Sequence, residues 1–255
     1  MFSIFGVPVD AAYHLVSGFT GILTPVLGGV AAVAAIIAFT MVVRIILMPL
    51  SFRALRGQAI QARLAPQLVA LRKQHAKQPE RLQSEMSALY KREGTNMFAA
   101  ITPLLLQWPF LSVMYLLFRS PQVAGRPNTL LSHDLLGVPL GMHWLSAAGP
   151  VSMQGAVFLG VFALLAGLCW LSSRLGALMV AGAPGAAAGT GALTKVLPYL
   201  TVVIAAFAPL ATGIYLLTSL TWSLGERRFF VRRSASGQTA AAQPVRPGLA
   251  GQKAR

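Results

Sequence analysis

Apolar residues run through this chain in long blocks rather than at alternate positions, and the blocks set its organisation. A membrane span needs roughly 20 consecutive apolar residues, and three such stretches read directly, at about 28–50, 97–118 and 151–173. A fourth, 196–224, carries no charge; it is too long for one comfortable span and short for two. Residues 1–27 place Phe5, Val9, Tyr13, Val16 and Phe19 at helical spacing, which predicts a short amphipathic helix lying on the membrane surface on the outer side. Segment 51–96 has another pattern. Ile60, Leu64, Leu68 and Leu71 recur on one helical face, and Leu82, Met86 and Leu89 repeat the spacing after Pro79, which suits a first helical turn; Gly94 is a stop signal. The prediction is a helical hairpin, apolar inside and basic outside. Residues 175–193 are a Gly/Ala-rich linker, and from Ser234 onward the chain lacks apolar periodicity and is read as disordered.

Composition changes the solvent in which this pattern is read. Hydrophobic residues make up 55% of the chain and charged ones only 11%, which is more apolar than a soluble core of this length requires. The formal net charge of +15 is a topological signal, because short cytoplasmic loops collect Lys and Arg. None precedes Arg44; segment 51–96 holds nine, 119–150 two, 174–195 two, and the tail after Leu224 seven. A single helix over 196–224 would leave that basic tail outside the cell. Splitting the run near Ala208–Pro209, where proline removes a backbone donor, restores the bias. The expected fold is therefore an all-α polytopic membrane protein with five transmembrane helices, N-terminus out and C-terminus in. It divides into an outer segment 1–27, a core 28–230 with cytoplasmic hairpin 51–96 and cytoplasmic linker 174–195, and a basic tail 231–255.

Several chemistries lack their residues. The single cysteine, Cys169, lies in an apolar run, so neither a disulfide framework nor a metal cluster is expected, nor an N-terminal lipid attachment. The absence of cations before Arg44 argues that the first apolar stretch stays in the mature chain. Intramembrane aspartyl or zinc proteolysis would need paired membrane carboxylates or H-E-x-x-H, and both are missing; His14, His75, His133 and His143 all fall outside the spans. The run GAAAGTGALTK lacks G-K-[ST] and is read as linker. No enzyme, cofactor or DNA-binding role is expected, and the basic tail suits anionic lipid or ribosomal RNA.

Arg44 is the one cation inside a span. It lies six residues before Leu50, roughly 9 Å below the cytoplasmic end, where an unpaired charge costs about 2.5–3.5 kcal/mol. All six acidic residues fall outside the spans: Asp10 and Asp134 on the outer side, Glu80, Glu85 and Glu93 in the hairpin, Glu226 at the end of the last helix. Two readings stay open: Arg44 snorkels to the headgroups, or it faces a water-filled cavity. Polar residues for such a cavity exist in Gln107, Thr212, Tyr215, Thr218, Ser219 and Trp222, of which Thr212, Tyr215 and Ser219 share one helical face. A small transporter or channel using Arg44 as an anion site is the rival reading, although the two halves show no convincing repeat.

The run from VVRIILMPL through TPLLLQWPFLSVMYLLFR resembles the core of the YidC/Oxa/Alb insertase family, with an arginine-bearing helix, a basic hairpin and a P-L-L-L-Q-x-P-F helix. LPYLTVVIAAFAPLATGIYLLTSLTWSLGERRFF resembles that family's closing helix pair, with Pro-x-x-x-Gly-x-Tyr and T-S-x-x-W-x-x-G. The resemblance covers about residues 28–118 and 194–230, and this sequence departs from some relatives in lacking a large outer domain. It implies a membrane-protein insertase and chaperone in the bacterial plasma membrane, working as a monomer, with a lipid-exposed groove containing Arg44, lined by Gln107, Tyr215 and Trp222. It further implies that the hairpin, through Arg63, Arg72, Lys73 and Arg81, meets incoming nascent chains and targeting factors. The tail cations Arg227, Arg228, Arg232 and Arg233 would touch ribosome or lipid. The Sec translocon and the signal-recognition receptor are implied partners, and no nucleotide is implied.

Overall fold

The computed structural model describes residues 3–95, 102–146, 152–180 and 199–241. Helix α1 spans Ser3–Leu27, and a 3-10 turn at Gly28–Val30 leads into α2, Ala31–Gln74. Gly28 makes that turn at φ +53°, a conformation glycine adopts without a Cβ penalty. Val9, Ala12, Val16 and Thr20 form the buried stripe of α1, which packs on α2 and on α4 (Thr102–Arg119). The small Ala31, Ala32 and Ala35 of α2 are buried in the same core. The 25 residues of α1 make a longer helix than the short one expected.

The span read at 28–50 and the first arm of the hairpin are one 44-residue helix. The change from apolar to basic sequence alters what surrounds α2 but not its backbone ladder, which propagates wherever residue i can bond to i−4. A turn over residues 75–78 then leads to α3, Pro79–Arg92, which packs back on α2. The apolar stripe read from the sequence points inward: Leu64 and Tyr90 are buried, and Leu68, Leu71, Leu82, Met86 and Leu89 are half-buried. Arg63 pairs with Glu93 across the two helices at 3.2 Å, while Gly94, at φ +64°, ends α3.

Helix α5 covers Met153–Val180, so the linker expected from Arg174 is helical as far as Val180; 181–195 lies outside the described residues. The closing pair is α6, Leu200–Phe207, and α7, Leu210–Ala241, divided at Ala208–Pro209 as the proline argument anticipates. Ala208 is extended (φ −96°, ψ 159°), and the Pro209 carbonyl accepts from Thr212 and Gly213 to start α7. The disorder expected from Ser234 is corrected in part, because α7 continues to Ala241. The chain from Arg232 to Ala241 contains no proline and several good helix formers, so the ladder runs on without apolar periodicity. Residues 242–255 lie outside the description.

The connection after α4, treated in the sequence only as a loop, is folded. Two small antiparallel pairs, β1 (Gln122–Val123) with β2 (Arg126–Pro127) and β3 (Asp134–Leu135) with β4 (Val138–Pro139), interrupt the all-α pattern. Each closes through two residues at positive φ, Ala124–Gly125 and Leu136–Gly137, the geometry that favours Asn-Gly. Leu136 sits at φ +53° and is two-thirds exposed, so Leu136→Asn should stabilise the protein by about 0.5–1 kcal/mol. The check is a higher melting temperature in detergent; a lower one would show that Leu136 is held by contacts worth more than its backbone strain.

The loop also clamps the helix bundle. Buried Asn128 donates to Leu117 O (2.6 Å) and Ser120 O (3.1 Å) and accepts from Leu130 N (3.2 Å). Further along, Leu210 N and Ala211 N donate to Met142 O and Leu140 O, tying the loop to the start of α7. Burial and the Arg119 guanidinium hold the His143 imidazole below its ordinary pKa, which favours the neutral ring, while the His143 backbone bridges to Pro209. Tyr13 of α1 reaches Thr129 at 3.3 Å. Beneath this loop lie Leu117, Phe118, Leu130, Leu140, Phe158, Leu165 and Leu210, all essentially inaccessible.

Helices α5 and α7 approach closely at Gly213, where an added Cβ would lie 3.2 Å from Val161 Cγ1. Gly213→Leu should therefore separate the two helices and cost about 1–3 kcal/mol. Thermal unfolding reads the loss, and an unchanged midpoint would mean that the interface yields freely. On the outside, Ile45, Ile46, Leu164, Trp170, Val203 and Phe207 are exposed apolar side chains, more than a water-facing surface carries. Two stretches among the described residues are long and apolar enough to cross a membrane, Phe5–Gln61 and Met153–Leu175.

Candidate functional site

Helix α2 carries a polar stripe in its apolar half. Thr40, Arg44, Ser51 and Gln58 recur at steps of four and seven, so they stay on one face, with Leu47, Ala54 and Leu55 between them. Met41, Val42, Ile45 and Ile46 point outward on the other side of the helix. Helix α7 faces the stripe with a second series, Tyr215, Ser223, Glu226 and Arg227, and Phe110 of α4 adds an apolar wall. These side chains enclose a partly open cavity of about 110 Å3, enough for several waters, since one needs about 10–15 Å3 by the same measure.

The two helices run in parallel along the cavity. The Arg44 guanidinium acts electrostatically on the Tyr215 hydroxyl and on the Glu226 carboxyl. Ser51, two turns further along α2 than Arg44, lies beside the Glu226 carboxyl, and Phe52 meets Phe229 with ring centroids 6.0 Å apart. Trp222 Nε1 donates to Glu226 Oε1 at 2.9 Å, one turn apart on α7. The cavity lining thus holds two cations, Arg44 and Arg227, and one anion.

Glu226, one of the six acidic residues that the sequence places outside the spans, therefore lies within the electrostatic reach of Arg44. The sequence places Glu226 at the end of the last helix, outside the spans. Because α7 continues unbroken beside α2, that position comes to face Ser51 and Arg44 instead of leaving the bundle. Arg227, expected as a tail contact, lines the cavity as well. Arg228 and Arg232 are exposed, and Arg233 lies in α7 with its side chain outside the description.

Arg44 and Tyr215 line the cavity, and half-buried Trp222 reaches it through Glu226. Thr212 and Ser219 share the face of Tyr215 but are fully buried against neighbouring helices rather than lining the cavity. Ser219 sits beside the Tyr215 hydroxyl, yet neither its Oγ nor that of Thr212 makes a hydrogen bond of good geometry with a described residue. Gln107 belongs to α4, with its side chain outside the description. In the hairpin, Arg63, Arg72, Lys73 and Arg81 are all exposed.

Residues missed in the sequence had a readable signal. Continuing the 212, 215, 219 stripe by steps of three and four reaches 222, 223 and 226, and stepping from Arg44 by four and seven gives Thr40, Ser51 and Gln58. Glu226 and Arg227 open the basic tail in sequence, yet the helical period puts them on the face that carries Tyr215.

A family model described as 60Kd inner membrane protein matches residues 22–237. Among curated proteins, membrane protein insertase YidC of Clostridium tetani is 32% identical over 114 residues, 45% of this chain and 52% of that protein. Membrane protein insertase YidC of Granulibacter bethesdensis is 30% identical over 164 residues, 62% of this chain and 26% of the relative. The protein of that name from Helicobacter pylori strain J99 is 31% identical over 142 residues, 51% of this chain and 26% of the relative. The chain spans about half the length of the Clostridium relative and about a quarter of the other two. With the family match running from the end of α1 almost to the end of α7, the chain belongs to the 60Kd inner membrane protein family, the YidC/Oxa/Alb group.

Proposed function

We propose that this chain is a membrane-protein insertase that receives nascent apolar segments at the cavity between α2 and α7 and passes them into lipid without nucleotide hydrolysis. The observation that carries this reading is a cation-bearing, water-sized cavity set beside an apolar outer surface. The family relatives named for the same activity support it. In this reading the chain is a multi-pass protein of the bacterial inner membrane with five spans, N-terminus out and C-terminus in. The α2–α3 hairpin and the end of α7 stand in the cytoplasm.

The mechanism follows from solvent and charge. Arg44 lowers the cost of drawing a polar or acidic end of the substrate part-way across, because an opposite charge and water replace part of its lost hydration. The wet cavity also shortens the hydrocarbon distance left to cross. The hydrophobic segment then leaves sideways past Ile45 and Ile46, and removal of its apolar surface from water, at about 25 cal/mol per Å2, drives the step. Tyr215 and Trp222 border the polar wall, and Gln107 of α4 is proposed as a further groove residue. Thr212 and Ser219 support that wall from within the bundle.

Arg63, Arg72, Lys73 and Arg81 give the hairpin a cationic surface for anionic lipid, nascent chains and a signal-recognition receptor. Arg228, Arg232 and Arg233 extend it toward ribosomal RNA, while a Sec translocon is a partner for larger substrates. The test is direct. Purified protein in nucleotide-free proteoliposomes should protect a labelled single-span substrate from external protease, and protection no greater than in protein-free vesicles rejects the proposal.

A further inference from the structure

The cavity holds a carboxylate of its own, and the way it is held assigns it a task. Glu226 is only 8% exposed. Trp222 Nε1 donates to it from its own helix, Ser51 of α2 lies beside it, Arg44 acts on it electrostatically, and Arg227 lines the same space. Among the described residues it is the one acidic side chain in the cavity lining. Glu93 is engaged with Arg63, and Asp10 pairs with His14 at 3.5 Å in a separate recess beside Arg126.

A guanidinium held in low dielectric without an anion is costly, and a resident carboxylate removes much of that cost. The same carboxylate occupies the electrostatic place that an incoming acidic group needs. Resting on the insertase reading above, we infer that Glu226 is an internal counter-ion that competes with acidic groups of the arriving chain for Arg44 and Arg227. It thereby sets how strongly the site favours acidic outer ends. The lining carries two cations for one carboxylate, so an arriving acidic group brings it to neutrality and shares Arg44 and Arg227 with Glu226. The return of Glu226 assists release, which a protein that must let go of every substrate requires. Trp222 and Ser51 position the carboxylate for that return.

The experiment uses full-length protein in proteoliposomes and three single-span reporters whose outer ends carry two Asp, two Asn or two Lys. Glu226→Gln keeps the shape of the side chain and its capacity to accept from Trp222, and removes the charge. It should raise the Asp-to-Asn insertion ratio by about 3–10-fold and lower the Lys-to-Asn ratio. Ratios within one preparation cancel the folded fraction. Gln58→Glu, which adds a carboxylate to the same cavity, must move the Asp-to-Asn ratio the other way, and it carries the test if the Gln variant does not fold. Unchanged ratios in the folded variants overturn the counter-ion role while leaving insertion intact. Failure of the wild-type protein to insert even the Asn reporter rejects the insertase reading itself, and this inference with it.

Discussion

Arg44→Ala will lose most of the insertion of single-span substrates with acidic outer ends, by about tenfold or more, whereas Arg44→Lys will retain most of it. The size of the effect follows from the place of the residue. Arg44 faces a cavity between α2 and α7, and its charge reaches both Tyr215 and Glu226. Alanine removes the cation and leaves Glu226 with Arg227 alone, so the lining becomes electrically neutral and gives an arriving carboxylate no net attraction. Lysine keeps the charge but loses the planar fork, a smaller change if the role is field rather than bidentate recognition. Depletion of the native protein followed by complementation, scored on a short single-span substrate, separates the variants. Equal insertion by wild type, alanine and lysine would remove Arg44 from the mechanism.

The second large effect concerns stability and lies at the opposite end of the bundle. Asn128→Ala should destabilise the protein by about 2–4 kcal/mol, since it leaves a buried N–H and two carbonyls without the amide that joined them. Asn128→Asp should be worse. The donor that met Leu117 O at 2.6 Å becomes a carboxylate oxygen directed at the same carbonyls. Thermal unfolding in detergent, together with proteolysis of the segment between α4 and α5, gives both readings. Two variants within about 0.5 kcal/mol of wild type would show that the loop is held by its apolar contacts alone.

The sequence makes legible whatever depends on local chemistry. Pro209 cannot continue a helix ladder, so the division of the closing pair was legible to the residue. The hairpin stripe from Ile60 to Leu89 was legible because a helical period leaves its mark on composition. Arg44 was visible as a charge in the wrong solvent. Other features depend on which helices become neighbours, and a single sequence does not state that. Glu226 and Ser51 are 175 positions apart and meet only because α2 and α7 lie side by side. The clamp at Asn128 has no periodic signal, since it is built from carbonyl groups that every residue carries. The continuity of α2 across the expected boundary was hidden because hydropathy reports surroundings, whereas the helix depends on backbone bonding.

That continuity has a mechanical side. From Arg44 to His75 the backbone of α2 is a rod of roughly 46 Å at 1.5 Å per residue. Its points of least bending stiffness are Pro49 and Pro66, each of which deletes one rung of the ladder. A torque applied at the tip of the hairpin therefore travels up a nearly rigid shaft and is absorbed mainly at these two compliant joints. The upper joint lies little more than one turn from Arg44, so a load on the tip is felt beside the guanidinium before it spreads to the rest of the bundle.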